Sequence, residues 1–268
     1  MLVRLLEKLG LFVGAKKERN HEAAFFVDVN LWLMAQCGGS WDHPQAMRYL
    51  LDNSEVRSWT TQYIRHYLLE TPRFGKYLGW RKYIRYHTPF QLDIPWGWKS
   101  PLNTFTLPIW LDLFPNAKVV HIYRHGVDVA NSLQRRGRKE MQSTALRALY
   151  YKFPLLHVIK PKAGGFIPVR CDSLEGGLSL WEEYLAEAGH HVRSLGIRAF
   201  ELKYETFLAE PNQILNELSR FCGLQASEIA IRNAVATVQK ERAYAYQESP
   251  DLRAFAERVP DRLHAYGY

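Results

Sequence analysis

Cysteine is scarce: Cys37, Cys171 and Cys222 are the only three in 268 residues, they lie far apart, and they form neither CxxC nor a zinc-ligand spacing. A disulfide framework is therefore not expected, and a reduced, cytoplasmic protein is. Long apolar runs are also missing. The opening MLVRLLEKLGLFVGA is interrupted by Arg4, Glu7 and Lys8, and no stretch of about 20 uncharged apolar residues occurs, so neither a signal peptide nor a membrane-spanning helix is expected. There is no H-x-x-x-H or H-E-x-x-H; His190 and His191 are adjacent near the end of an amphipathic pattern, read as surface residues, and no metal is expected. No internal repeat, helix-turn-helix, zinc or RNA-recognition signature is present. The basic run QRRGRKE reads as solvated surface, so no nucleic-acid partner is expected.

What is there supports one α/β domain over residues 1–268, with 47% hydrophobic and 23% charged residues to build and solvate a core. The 35 Lys and Arg outnumber the 27 Asp and Glu, giving +8 and a bias towards a polyanionic ligand.

Leu2, Leu5, Leu6 and Leu9 fall at helical spacing before a stop at Gly10. Further helices are predicted for HEAAFFVDVNLWLMAQ, NSEVRSWTTQYIRHYLLET, LNTFTLPIWLDLF, LSLWEEYLAEAGHHVRSL and PNQILNELSRFCGL, the last ending at Gly223. QLDIPWGWKSP reads as a short strand ending at Lys99, VVHIY as a strand buried on both faces of a parallel sheet, and IRAFELKY as a third strand. Residues 134–177 are expected to be an irregular insertion or substrate loop over the sheet edge, and the terminal YGY requires packing. The recurring strand, turn, helix order predicts an α/β domain with a parallel sheet flanked by helices.

Lys99, Arg124 and the Tyr204-Glu205 pair each follow the carboxyl end of a predicted strand, the edge at which open α/β sheets bind ligands. In Arg124-His125-Gly126-Val127-Asp128 the glycine permits a tight turn and the following helix offers free N–H groups and a positive dipole end. Ser132, eight residues after Arg124, is expected on the inward face of that helix's second turn. A forked guanidinium and a hydroxyl suit a phosphate monoester.

WGWKSPLNTFTLPIWLDLFPNAKVVHIYRHGVDVANSL resembles the sulfotransferase superfamily that uses 3′-phosphoadenosine 5′-phosphosulfate (PAPS), through K-x-P, the helix with L-P, F-P-x-A-K, the strand, and Arg with Ser eight later. ELKYETFLAEPNQILNELSRFCGL is similar to that family's later strand-to-helix element, and RCDSLEGGLSLWEEYL and YGY resemble bacterial members. The resemblance implies an α/β, three-layer P-loop-type fold with a central parallel sheet flanked by helices, and transfer of a sulfuryl group from PAPS, without a metal, to a hydroxyl or amine acceptor on a small molecule, carbohydrate or lipid. It implies that Arg124 and Ser132 bind the 3′-phosphate, Lys99 reaches the 5′-phosphosulfate, and Tyr204 borders the nucleotide. His21 and Glu22 are the base candidates; Glu22 is equally well read as a capping residue in the first turn of a helix.

The family's strand and G-x-x-R-S-G-T-like loop before the first helix have no counterpart in this sequence, and GLFVGAKK at residues 10–17 has the wrong spacing for a phosphate loop. Met1 is therefore expected to be an internal methionine, and transferase activity to need the loop. The alternative is a non-catalytic relative that binds a 3′,5′-bisphosphate nucleotide such as PAP (adenosine 3′,5′-bisphosphate), or a protein partner. A P-loop kinase would leave Arg124 and Ser132 without a role.

Overall fold

Gly10 (φ +105°) closes the first helix, α1 (Leu2–Lys8), and from there a computed structural model describes residues 1–18, 20–150, 168–239 and 242–268, with backbone alone at 140 and 143–150. Contacts divide the chain into two compact units, Met1–Ile122 with Glu187–Lys240, and Tyr123–Ala186 with Glu241–Tyr268.

In the first unit, α2 (Ala24–Gln36) is apolar almost all round, as a core helix must be, and buries Phe25, Phe26, Val29, Leu33 and Met34. After α3 (Met47–Asp52), Asn53 caps α4 (Ser54–Leu69) by accepting the Val56 N–H at 3.0 Å. α5 (Gly75–Tyr83) and α6 (Asn103–Leu113) complete its first half. The polar centre of this core is Asn30, fully buried on α2. Its Oδ1 accepts from Thr106 Oγ1 at 2.8 Å and Trp110 Nε1 at 2.9 Å, and its Nδ2 donates to Asn103 Oδ1 at 2.8 Å.

The sheet has two strands among the described residues, β1 (Val119–Tyr123) and the parallel β2 (Ala199–Lys203). The protein is thus mixed α/β but mostly helical. β1 is only partly buried, with Ile122 36% exposed, which corrects the expectation of burial on both faces. A run of β-favouring residues fixes a strand, but the elements that cover it decide its burial. The segment ending at Lys99 is extended rather than a strand. It makes one parallel bridge, Phe12 with Trp96, because Pro95 has no N–H to extend a ladder.

In the second unit, α7 (Gly126–Tyr150) runs through the region expected to be irregular from residue 134; residues 151–167 lie outside those described. The basic run sits on this helix with its cations exposed. Gly137 faces inward, where a Cβ would lie 3.3 Å from Pro168 Cγ and 3.6 Å from the Cys171 carbonyl oxygen. α8 (Leu174–Leu195) begins in this unit, and β2 leads on to α9 (Tyr204–Ala209), α10 (Pro211–Phe221) and α11 (Glu228–Val235) in the first. The second unit's core joins Val127, Ala130, Leu178, Trp181 and Leu185 to Phe255 of α12 (Pro250–Arg258) and Leu263 of α13 (Pro260–His264). The terminal YGY packs here as expected: Tyr266 meets Trp181 edge-on at 5.0 Å, and Tyr268 meets His125 at 4.9 Å.

Candidate functional site

In the second unit the chain leaves β1 at Arg124 and enters α7 at Gly126. Trp181 Nε1 donates to the Arg124 carbonyl at 2.9 Å, fixing the backbone. The Arg124 side chain is 30% exposed; its Nη2 lies 2.8 Å from Asp128 Oδ2 and donates to the Arg242 carbonyl at 2.8 Å. Asp128 is buried, and its Oδ1 accepts the Tyr246 N–H at 2.7 Å. The guanidinium is therefore held by a carboxylate one helical turn ahead, a partner that the i, i+4 spacing makes visible and that the sequence reading assigned no role. His125 is buried, stacked on Tyr246 at 4.3 Å, and its Nδ1 accepts the Val127 N–H at 3.3 Å.

Gly126 is not in the left-handed region that would require glycine. It is glycine for space: a Cβ would stand 2.8 Å from Leu178 Cδ1 and 3.0 Å from the Trp181 ring. Ser132 is exposed on the second turn of α7, which corrects its expected inward orientation.

The first unit carries the other candidates. Trp98 stacks on Phe26 at 3.9 Å between ring centroids and donates to Asn103 Oδ1 at 3.0 Å, so the residue that follows it is well anchored. That residue, Lys99, places Nζ 2.6 Å from Glu22 Oε1; the lysine is 41% exposed and the carboxylate 15%. α2 begins at Ala24 with Ala23 as its cap residue, so Glu22 lies before the helix, and the capping reading gives way to an ion pair. His21, in the left-handed region at φ +61°, turns its ring to Glu7 at 2.5 Å instead of towards Lys99. Lys17 pairs with the same carboxylate. Burial pushes the Glu7 carboxyl up, but the hydrogen bonds and charges of Lys17 and His21 outweigh it and leave it below the usual range. Tyr204 is the half-buried first residue of α9.

A model of the sulfotransferase family matches residues 33–228. The chain belongs to the sulfotransferase family. No curated protein and no solved structure matches it. Lys99, Arg124, Ser132 and Tyr204 lie inside the segment that defines this sulfotransferase-family chain; His21 and Glu22 lie before it.

His191, read from sequence as surface, is buried in this family member. Its Nε2 is 2.9 Å from the Thr104 carbonyl oxygen and 3.3 Å from Glu187 Oε1, the carboxylate that also faces Arg48 at 3.4 Å. Among the described residues no group of three His, Cys, Asp or Glu side chains could hold a metal, and no helix is long and apolar enough to cross a membrane.

Proposed function

We propose that this chain transfers a sulfuryl group from PAPS to a hydroxyl or amine acceptor, within the P-loop-type architecture its family membership supports. The observation that carries the reading is the anchoring of Arg124 at the entry to α7, with its backbone held by Trp181 and its guanidinium by Asp128. A cation placed without freedom to wander is what recognition of a terminal phosphate needs.

In this reading Arg124 and the exposed Ser132 hydroxyl bind the 3′-phosphate, and Tyr204 borders the nucleotide. Lys99 neutralises charge on the 5′-phosphate as the S–O bond to it opens and the electron pair leaves on the phosphate oxygen. The acceptor atom forms the new bond to sulfur and its proton passes to a base. Glu22, 2.6 Å from the Lys99 ammonium, is better placed than His21, whose ring is committed to Glu7.

A second reading, a nucleotide-binding relative without turnover, is favoured by one feature: Lys99 and Arg124 are each already paired with a carboxylate. Calorimetric titration with PAP and with ATP, beside a transfer assay using sulfur-labelled PAPS and a panel of acceptors, separates the two. PAP is expected to bind, ATP at least about tenfold more weakly, and Arg124→Ala to reduce PAP affinity roughly 10- to 100-fold. Unchanged PAP affinity in that variant overturns the assignment of Arg124; PAP binding without transfer selects the second reading.

A further inference from the structure

From Thr71 to Leu92 the sequence carries Arg73, Lys76, Arg81, Lys82 and Arg85 and no acidic residue. In the middle of this stretch Gly79 (φ 71°, ψ 162°) breaks α5, a conformation open to glycine, and a Cβ there would lie 2.7 Å from Ala15 Cβ. The chain restarts as a single helical turn, closed by the Ile84 N–H donating to the Trp80 carbonyl at 3.3 Å. Trp80 and Ile84, four residues apart, share a side of that turn and are 72% and 73% exposed.

Their neighbours are cationic. Arg81 is exposed with its guanidinium carbon 5.3 Å from the Trp80 ring centroid, and the exposed Arg85 reaches Asp93 at 2.6 Å. The platform beneath is firm: Tyr77, Leu78 and Tyr86 are buried, and Lys82 lies over the Phe12 ring at 5.0 Å.

We infer that the turn Trp80–Arg85 is a docking element for an anionic lipid surface. An indole and a branched aliphatic side chain standing in water beside paired arginines match the boundary of a bilayer. There the apolar pair is dehydrated, the indole N–H stays at the polar level, and guanidinium groups meet lipid phosphates. Charge argues against a second copy of this chain as the occupant, because an isologous contact would set Lys76 and Arg81 against their own equivalents. A nucleic acid would use aromatic faces for stacking, and Ile84, as exposed as Trp80, offers none. One apolar turn is a weak anchor, so attachment is reversible and depends on charge. The inference rests on this surface alone and is independent of the transfer reading.

The test is co-sedimentation of the full chain with vesicles of phosphatidylcholine alone and with about 30% phosphatidylserine added. Binding is expected only to the anionic vesicles, and to be lost as salt is raised from about 50 to 500 mM. Trp80→Ser with Ile84→Ser, and separately Lys76→Glu with Arg81→Glu, are each expected to weaken it at least about tenfold. All four positions are exposed, so the fold should persist, and the salt series on the unaltered chain tests the inference without any variant. No binding to anionic vesicles, equal binding to neutral ones, undiminished binding by the double variants, or self-association through this turn would each overturn it.

Discussion

Asp128 Oδ2 stands 2.8 Å from Arg124 Nη2, joining the first turn of α7 to the residue just past the end of β1, and no aligned hydrogen bond reaches that oxygen among the described residues. The contact is one of charge, while the other carboxylate oxygen carries a hydrogen bond from the Tyr246 backbone. A phosphate arriving at Arg124 would share the guanidinium with a carboxylate that cannot leave, so Asp128 fixes the fork's direction and moderates its charge.

Removing the charge without the shape should expose that coupling. Asp128→Asn is expected to keep the Tyr246 hydrogen bond and to lower stability by about 1–3 kcal/mol, since Arg124 is partly solvated. A double-mutant cycle with Arg124→Gln, followed by urea unfolding, should give a non-zero interaction energy; strictly additive losses would show the pair to be energetically idle.

Gly126→Ala should destabilise the second unit by about 1–3 kcal/mol, because the new methyl would meet Leu178 and the Trp181 ring inside van der Waals distance. Gly97→Ala, where a Cβ would find nothing within 4 Å, is the control and should be nearly neutral. Equal effects in thermal unfolding would remove the spatial explanation for Gly126.

Asn30→Ala strips three hydrogen bonds from a fully buried centre and strands Trp110 Nε1, while Thr106 keeps the Leu102 carbonyl and Asn103 keeps Trp98. A loss of about 2–4 kcal/mol is expected in chemical denaturation. A loss under about 0.5 kcal/mol would mean that the network is replaceable by packing.

Acid should weaken the first unit in two stages. Burial holds His121 below its ordinary 6.5, against the opposing pull of Glu201. The His191 hydrogen bond, chiefly, holds Glu187 below 4.5 despite burial, and Glu7 is likewise below 4.5. All three are depressed in the folded state, so the unfolded chain binds more protons as pH falls. Stability should be full above about pH 6.5, decline first through the His121 window, and decline again below about pH 4.5. The check is melting temperature by circular dichroism from pH 8 to 4, with His121→Gln expected to flatten the upper stage. A melting temperature that rises on acidification would contradict the assignment.

Local chemistry carried much of the fold in the sequence. Gly10 and Gly223 stop helices through positive φ, Asn53 caps α4, and the β-favouring VVHIY and AFELK are strands. What escaped depended on partners distant in sequence. The extended stretch before Lys99 has strand composition but, among the described residues, makes its one bridge with Phe12, and the glycine and charge cluster after Gln134 looked like a loop. Its glycine answers to Pro168 and Cys171, more than thirty residues away. The candidate site divides in the same way. Arg124 and Lys99 were legible as cations at the ends of extended segments, and the i, i+4 spacing put Asp128 within reach of the same reading; that Lys99 faces Glu22, 77 residues away, followed only from the folded chain.

The division into two units has a consequence for biosynthesis. The polypeptide passes between them at 122–123, 186–187 and 240–241, so neither unit is one unbroken segment. While a ribosome makes residues 123–186, a matter of several seconds at about 5–20 residues per second, the first unit still lacks Glu187–Lys240. During that interval β1 has been synthesised without β2, its partner. The second unit closes only when Leu263 and the terminal tyrosines emerge. Neither unit can therefore close until segments made after residue 186 are available, and a nascent chain halted near that residue is the species most in need of a chaperone.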